Sequence, residues 1–190
     1  MRELLLILSV VITLGATYPY LRDIVRGETR PNIVSWITWT LITLVATVAE
    51  VAAGEHMTAI FTSAAVLATG LVVVFGLKYG YVKYTAFDVA CQVGALLGFV
   101  LWYVFNSPTA AVIAAVTIDF IGALPTVRHS WQKPHEETWI TFALGGIAAT
   151  LALVAITSYN WASLSYPIYI AAMNFVLAGI ILYRSRHNSN

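Results

Sequence analysis

The chain has 190 residues, of which 59% are hydrophobic and 10% are charged, whereas a typical soluble domain has about 25% charged residues. A mean hydropathy of +0.81 and a formal net charge of +1 exclude a soluble globular domain, a disordered chain and a basic nucleic-acid-binding protein. The single cysteine, Cys91, excludes an intramolecular disulfide framework. The composition therefore predicts an integral membrane protein.

Polar breaks divide the chain into apolar segments, each close to the roughly 20 helical residues that cross a bilayer. The predicted spans in chain order are 3–25, 31–53, 57–77, 85–105, 109–130, 137–157 and 165–183. The first span lacks a small-residue cleavage site, so we interpret it as a retained helix and not as a signal peptide. The sequence thus predicts an all-α protein with seven transmembrane helices and no soluble domain.

Basic residues lie almost entirely on one side of this predicted topology. The other side has only Arg2. We call the side that holds the rest the basic end; its members are Arg22, Arg26, Arg30, Lys78, Lys83, Arg128, Lys133, Arg184 and Arg186. Because basic loops are retained in the cytoplasm, we expect an outside N-terminus and a cytoplasmic C-terminus. The short loops favour a prokaryotic cell membrane.

The chain contains an internal repeat. Residues 31–53 align without gaps with residues 134–156, at a constant offset of 103. The matched pairs in and before this segment include Pro31 with Pro134, Trp36 with Trp139, Thr38 with Thr141, Pro19 with Pro125 and Arg22 with Arg128. We therefore predict two three-helix repeats, 1–77 and 109–190, joined by a linker helix within 78–108. The extra crossing of the linker gives both repeats the same orientation.

This arrangement, with a proline near the basic end of the first helix of each repeat, resembles the SWEET and PQ-loop superfamily, which includes the KDEL receptors. The segments YPYLRDIVRGETRPNIVSWITWTL and LPTVRHSWQKPHEETWITFAL carry the resemblance, which covers nearly the whole chain. The resemblance implies two triple-helix bundles around a central pathway that opens alternately to the two sides of the membrane. Tyr20 and Thr126 stand where PQ-loop members have glutamine.

Two polar residues lie near the middle of predicted spans. Asp119 is about ten residues from either end of the fifth span, where a carboxylate costs a few kcal/mol unless it faces the interior or a watery cavity. It could exchange a proton, hold a cationic group, or serve as a hydrogen-bonded structural residue. Asn174 lies in the seventh span, where the resemblance implies an asparagine that contacts substrate; it could equally clasp a neighbouring helix.

Two matched pairs concern the helix backbone. Pro19 and Pro125 each remove a helical hydrogen bond, so they are candidate hinges for gating or simple kinks. Thr38 and Thr141 could bond to backbone carbonyls near a kink or line the pathway.

Arginines and aromatic residues mark the basic end. Arg22 and Arg128 could form an inner gate with Asp23 or Glu136, attract an anionic substrate, or extend to lipid headgroups. The aromatic residues at equivalent positions of the second and sixth spans could close the pathway or form an interfacial belt; they are Trp36, Trp39, Trp139 and Phe142.

These features predict a transporter or facilitator of a small polar solute such as a sugar or an amino acid, with proton linkage through Asp119 as an option. The alternatives are a receptor-like protein of the same fold, which binds a ligand or peptide without moving it, and a structural membrane subunit. The four histidines lack metal-ligand spacing, and no nucleophile or phosphate-loop motif occurs. We therefore predict no enzymatic activity, no metal, no cofactor and no nucleic-acid partner; oligomerisation stays open.

Overall fold

The computed structural model describes residues 1–52, 56–79, 84–105, 108–156, 159 and 161–187. Over these residues the chain is all-helical, with seven α-helices and one 3-10 turn, Pro134–Glu136. The α-helices are α1 (Arg2–Arg26), α2 (Ile33–Ala52), α3 (His56–Tyr79), α4 (Ala86–Phe105), α5 (Pro108–Gln132), α6 (Trp139–Ala155) and α7 (Trp161–His187). Residues 80–83 and 106–107, at the predicted limits of the linker, lie outside the described part.

Among the described residues, four helices are long and apolar enough to cross a membrane: Arg2–Arg26, Ala59–Tyr79, Val112–Gln132 and Leu164–His187. The described parts of α2, α4 and α6 form shorter apolar helices. Large apolar side chains face outwards on several helices, among them Val11, Val74, Ile113 and Val176. Such an apolar exterior is unfavourable in water and favourable in lipid, in agreement with a membrane protein.

The sixth helix begins later than the sequence predicts. The predicted start was residue 137, but Glu137 and Thr138 are extended, and α6 begins at Trp139. Pro134 opens the 3-10 turn instead, where its missing N–H requires no partner. As a consequence Glu137 and Thr138 form a short extended link that enters the bundle.

Each of two central helices packs between two others. α3 packs against α1 and α2, and α7 packs against α5 and α6. We call α1, α2 and α3 the first group and α5, α6 and α7 the second group. The two groups meet where α1 packs on α6 and where α2 packs on α5. α4 packs mainly on α5 and also touches α2.

Polar contacts join α1 to α6 along their whole length. They recur every seven residues of α1, which keeps them on one helix face. Small residues at two of the four positions, Ser9 and Ala16, allow close approach of the two helices. From the N-terminal end of α1, the contacts are Arg2 Nε to the Ala155 carbonyl (2.7 Å), Ser9 Oγ to the Ala148 carbonyl (2.7 Å), Thr141 Oγ1 to the Ala16 carbonyl (2.9 Å) and Thr138 Oγ1 to Asp23 Oδ2 (2.8 Å).

Candidate functional site

Four aromatic side chains meet between the two groups of helices, towards the basic end. We call Tyr20, Trp36, Trp39 and Phe142 the aromatic plug. The Tyr20 ring centroid lies 4.9 Å from that of Trp36 and 6.1 Å from that of Phe142. Tyr20 is fully buried, and Trp36 and Phe142 are nearly so. The plug contains side chains of α1, α2 and α6, and therefore fills the space between the two groups.

Glu137 lies beside this plug. Its Oε2 accepts a hydrogen bond of 2.7 Å from the hydroxyl of Tyr20, and its side chain is fully enclosed. Burial raises the pKa of Glu137 to about 8, and the Tyr20 hydrogen bond opposes this shift. A carboxyl group of the α5–α6 link thus reaches the interface between α1 and α6.

The links before α2 and before α6 are bonded to each other. We call Asp23, Thr29, Arg30, Glu136 and Thr138 the loop latch. The Thr29 and Thr138 hydroxyls are 2.6 Å apart, and Thr138 donates to Asp23. The backbone N–H of Arg30 donates to the Glu136 carbonyl at 2.9 Å. The latch therefore joins the link before α2 to the link before α6.

Two features at the C-terminal end of α1 position Asp23 in the loop latch. α1 ends at Gly27, whose φ of 74° is left-handed and favours glycine. The turn directs the N–H groups of Glu28 and Thr29 onto the Asp23 carbonyl. The Asp23 side chain also pairs with Arg22, whose Nη2 lies 2.7 Å from Oδ1. Arg22 therefore has one of the partners expected from the sequence, and Asp23 connects it to the latch.

Asp119 is buried in the middle of α5. Its Oδ2 accepts a hydrogen bond of 2.8 Å from the hydroxyl of Tyr169 on α7, and Trp39 and Tyr166 also approach the carboxyl group. The rings of Tyr166 and Tyr169 stack with centroids 6.3 Å apart. In the described part of the chain, no ion pair to Asp119 is formed. The expected interior orientation of Asp119 is thus observed, with hydroxyl partners instead of a cation.

Asn174 is directed away from Asp119. Its Nδ2 donates to the Ile170 carbonyl one turn earlier at 2.9 Å. A Cβ built on Gly145 would lie 2.6 Å from Asn174 Oδ1, so the amide rests against the bare backbone of α6. In this conformation Asn174 packs α7 on α6, and no contact joins it to the Asp119 group.

Thr38 on α2 and Thr141 on α6 make similar contacts across the interface between the two groups of helices. Thr141 bonds to the Ala16 carbonyl, three residues before Pro19. A Cβ built on Gly122, three residues before Pro125, would lie 2.5 Å from the methyl of Thr38. The Thr38 hydroxyl lies 3.0 Å from the Val34 carbonyl and 3.0 Å from Gln92 Oε1. Both threonines therefore pack against a proline-containing helix of the other group.

Both prolines lie inside continuous helices. Pro19 is in α1 and Pro125 is in α5. The N–H of Thr126, directly after Pro125, donates to the Ser35 hydroxyl of α2 at 3.2 Å. The helix at Pro125 is therefore tied to α2 through a side chain.

A cavity of about 210 Å³ opens at the basic end between the start of α2, the start of α4 and the end of α5. Arg128 lines it, and its guanidinium lies 5.0 Å from the ring centroid of Phe87. Asp88 on the same wall accepts hydrogen bonds from Thr85 and Asn32. Arg22 and Arg128, matched in sequence, therefore have different partners. Neither this cavity nor the apolar groove beside Phe120 and Met173 is lined by Asp119 or Asn174.

Trp139 does not join the other aromatic residues. It is 42% exposed, whereas its sequence mate Trp36 is 6% exposed. The first residue of α6 faces outwards, which agrees with the alternative of an interfacial belt for this residue. The sequence interpretation also missed Tyr20 and Glu137. No periodic pattern in the sequence marks Glu137, at the predicted start of the sixth span, as buried.

Searches with protein-family models, among curated proteins and among solved structures find no match to this chain.

Proposed function

We propose that this protein is a membrane transporter or facilitator that moves a small polar solute by alternating access, with a SWEET/PQ-loop-like arrangement of two three-helix repeats. The observation that carries the proposal is the pattern of helix contacts. If α1, α2 and α3 are exchanged with α5, α6 and α7, each contact within or between the two groups maps onto another observed contact. The contact between α1 and α6 maps onto the contact between α5 and α2, and α3 takes the place of α7. Such an exchange is typical of transporters built from two parallel repeats.

The side chains between the two groups of helices support the same exchange of α1, α2 and α3 with α5, α6 and α7. Thr141 packs on α1 before Pro19, and Thr38 packs on α5 before Pro125. In alternating access, one such interface must loosen while the other side closes. Prolines that weaken both helices near these contacts suit a hinge role.

The closed basic end supports a gated pathway. The aromatic plug and the loop latch close the bundle on the side that we propose is cytoplasmic, with the N-terminus outside. Asp119 lies deeper, with the Tyr169 hydroxyl as its partner. A carboxyl group that is held by hydroxyls, with no ion pair among the described residues, is suited to binding a proton or a donor group of a solute. We propose Asp119 as the proton-linked residue of transport.

Flux into liposomes tests the proposal. Liposomes with the purified chain are offered labelled sugars, amino acids and vitamins, with and without a pH gradient. We expect flux of at least one compound above empty liposomes, and loss of its pH dependence in Asp119→Asn. Glu28→Gln, a change at an exposed acid near α1, is the matched control and should retain it. Tight binding of a compound without flux would overturn transport in favour of a receptor-like protein.

Topology has a separate test. A reporter fused after the last residue should read as cytoplasmic, because the basic end would be retained inside. An extracytoplasmic signal would overturn the proposed orientation.

A further inference from the structure

The Glu137 carboxyl group is enclosed but not fully bonded. Oε2 accepts from Tyr20, whereas Oε1 is buried without a hydrogen-bond partner. An ionised carboxylate buried in this way costs several kcal/mol unless a cation or further donors compensate it. Nearly all buried polar groups in proteins have a partner, so an unpartnered oxygen requires a physical explanation.

The residue that faces Oε1 is His129. Its Nε2 lies 4.0 Å from Glu137 Oε1 and 3.4 Å from Glu136 Oε2, and it forms no hydrogen bond in this conformation. The 4.0 Å separation is longer than a direct hydrogen bond, so proton transfer between these two unsatisfied groups requires a side-chain rotation that brings them to about 3 Å.

His129 also lies on the wall of the 210 Å³ cavity at the basic end. His129 therefore lies between the cavity and the two carboxyl groups, with its Nε2 3.4 Å from Glu136 Oε2 and 4.0 Å from Glu137 Oε1.

The other ionisable groups near Glu137 do not neutralise it. From α1 comes the Tyr20 hydroxyl, and Asp23 is held by Arg22 and Thr138. From the α5–α6 link comes Glu136, which is paired with Lys133 at 3.2 Å and lies 3.9 Å from an Arg30 nitrogen. The imidazole of His129, 4.0 Å from Glu137 Oε1, is a group that can bring positive charge to Glu137.

We propose that Glu137 is a proton-binding site of the basic-end gate, loaded from the cavity through His129, and that its proton holds α1 and α6 together. In the loading step the imidazolium of His129 gives its Nε2 proton to Glu137 Oε1, and the neutral imidazole takes another proton from the cavity. Release of the proton leaves a negative charge beside the aromatic plug. Separation of Tyr20 from Glu137 would then let water reach that charge, which opens the gate.

This site is distinct from Asp119. Its role in opening a gate rests on the proposed function, whereas binding of a proton by Glu137 does not. Burial raises the pKa of Glu137 to about 8, so a modest rise in pH is sufficient to empty the site. A proton site on the gate would make opening of the basic end respond to the pH on that side.

Infrared difference spectra of the full chain in lipid nanodiscs test the site. The carbonyl band of protonated carboxyl groups is recorded between about pH 6 and about pH 10. We expect a band that disappears with a midpoint near 8 and that is missing in Glu137→Gln. Glu136→Gln, which removes a neighbouring negative charge that raises the pKa of Glu137, should keep the band and move its midpoint to lower pH. Identical spectra of the wild-type chain and Glu137→Gln would overturn the proposal.

Two further variants test the route and the geometry. Tyr20→Phe removes a donor that favours the ionised form, so the midpoint should move to higher pH. An unchanged or lowered midpoint would contradict the assigned contact, even if Glu137→Gln failed to fold. His129→Gln should slow deuterium exchange of the same band, and an unchanged exchange rate would exclude His129 as the route. None of these readouts requires flux, so they stand apart from the liposome test.

Discussion

Glutamine at position 137 removes the ionisable group but retains an oxygen that can accept from Tyr20. Burial raises the pKa of Glu137 from 4.5 to about 8, so between these values the folded chain holds a proton that the unfolded chain has released. The contribution to stability is complete below pH 4.5 and is lost as the pH rises through about 8. The free energy of unfolding of the wild-type chain should therefore fall by about 1.4 kcal/mol per pH unit in this window.

The full change is about 5 kcal/mol, which is large for a domain whose total stability is about 5–15 kcal/mol. For a chain of this length, 1 kcal/mol shifts Tm by roughly 2–4 °C, so this group should lower Tm by roughly 3–6 °C per pH unit. Glu137→Gln should lose this slope. At low pH the variant should match the wild-type chain within about 1 kcal/mol, because the bond from Tyr20 persists. Above about pH 8 it should be the more stable protein.

Thermal unfolding in detergent, followed by circular dichroism over a pH series, measures the slopes. Glu136→Gln, at a neighbouring acid that is partly exposed, is the control and should keep the wild-type slope. Parallel profiles of the wild-type chain and Glu137→Gln would refute the reasoning, because the Glu137 proton would then be bound equally in both states.

Three changes at helix contacts give further tests. Gly122→Ala should destabilise the chain by about 1–3 kcal/mol, because the added methyl would collide with a threonine of α2. Gly15→Ala, with open space around the added methyl, is the control and should not destabilise it. Equal effects of the two changes would contradict the close approach of α5 to α2. Thr141→Val should cost about 1 kcal/mol in detergent unfolding through the lost bond to α1, and a neutral result would show that this bond adds nothing. Tyr169→Phe removes one hydroxyl donor to Asp119 and should cost about 1–3 kcal/mol in detergent unfolding at neutral pH; unchanged stability would contradict the contribution of this hydrogen bond.

The helices could be read from the sequence because membrane segments are long, apolar and interrupted by polar breaks. The described bounds of α1 and α4 agree with the predicted spans 3–25 and 85–105 to within a residue or so. The later start of α6 could not be read, because the extended backbone of Glu137 and Thr138 depends on the contacts of these residues with α1.

The candidate site could be predicted only in part. The position of Asp119 near the middle of its helix follows from counting residues, and its interior orientation follows from the cost of a carboxylate in lipid. Its tyrosine partners on α7 could not be inferred, since nothing local links the two helices. Asn174 shows the same limit, because its amide packs on Gly145 instead of joining Asp119.

The sequence by itself determined that this is an all-helical, apolar chain with basic residues collected at one end, because hydropathy and charge act residue by residue. The tertiary structure decided which side chains face one another. Trp36 and Trp139 have nearly the same local sequence, yet one is buried and the other exposed. In helices that are apolar on all sides, no periodic pattern marks an inner face. Only the packing of α1 across α6 places Glu137, from a segment that reads as a polar loop, inside the bundle.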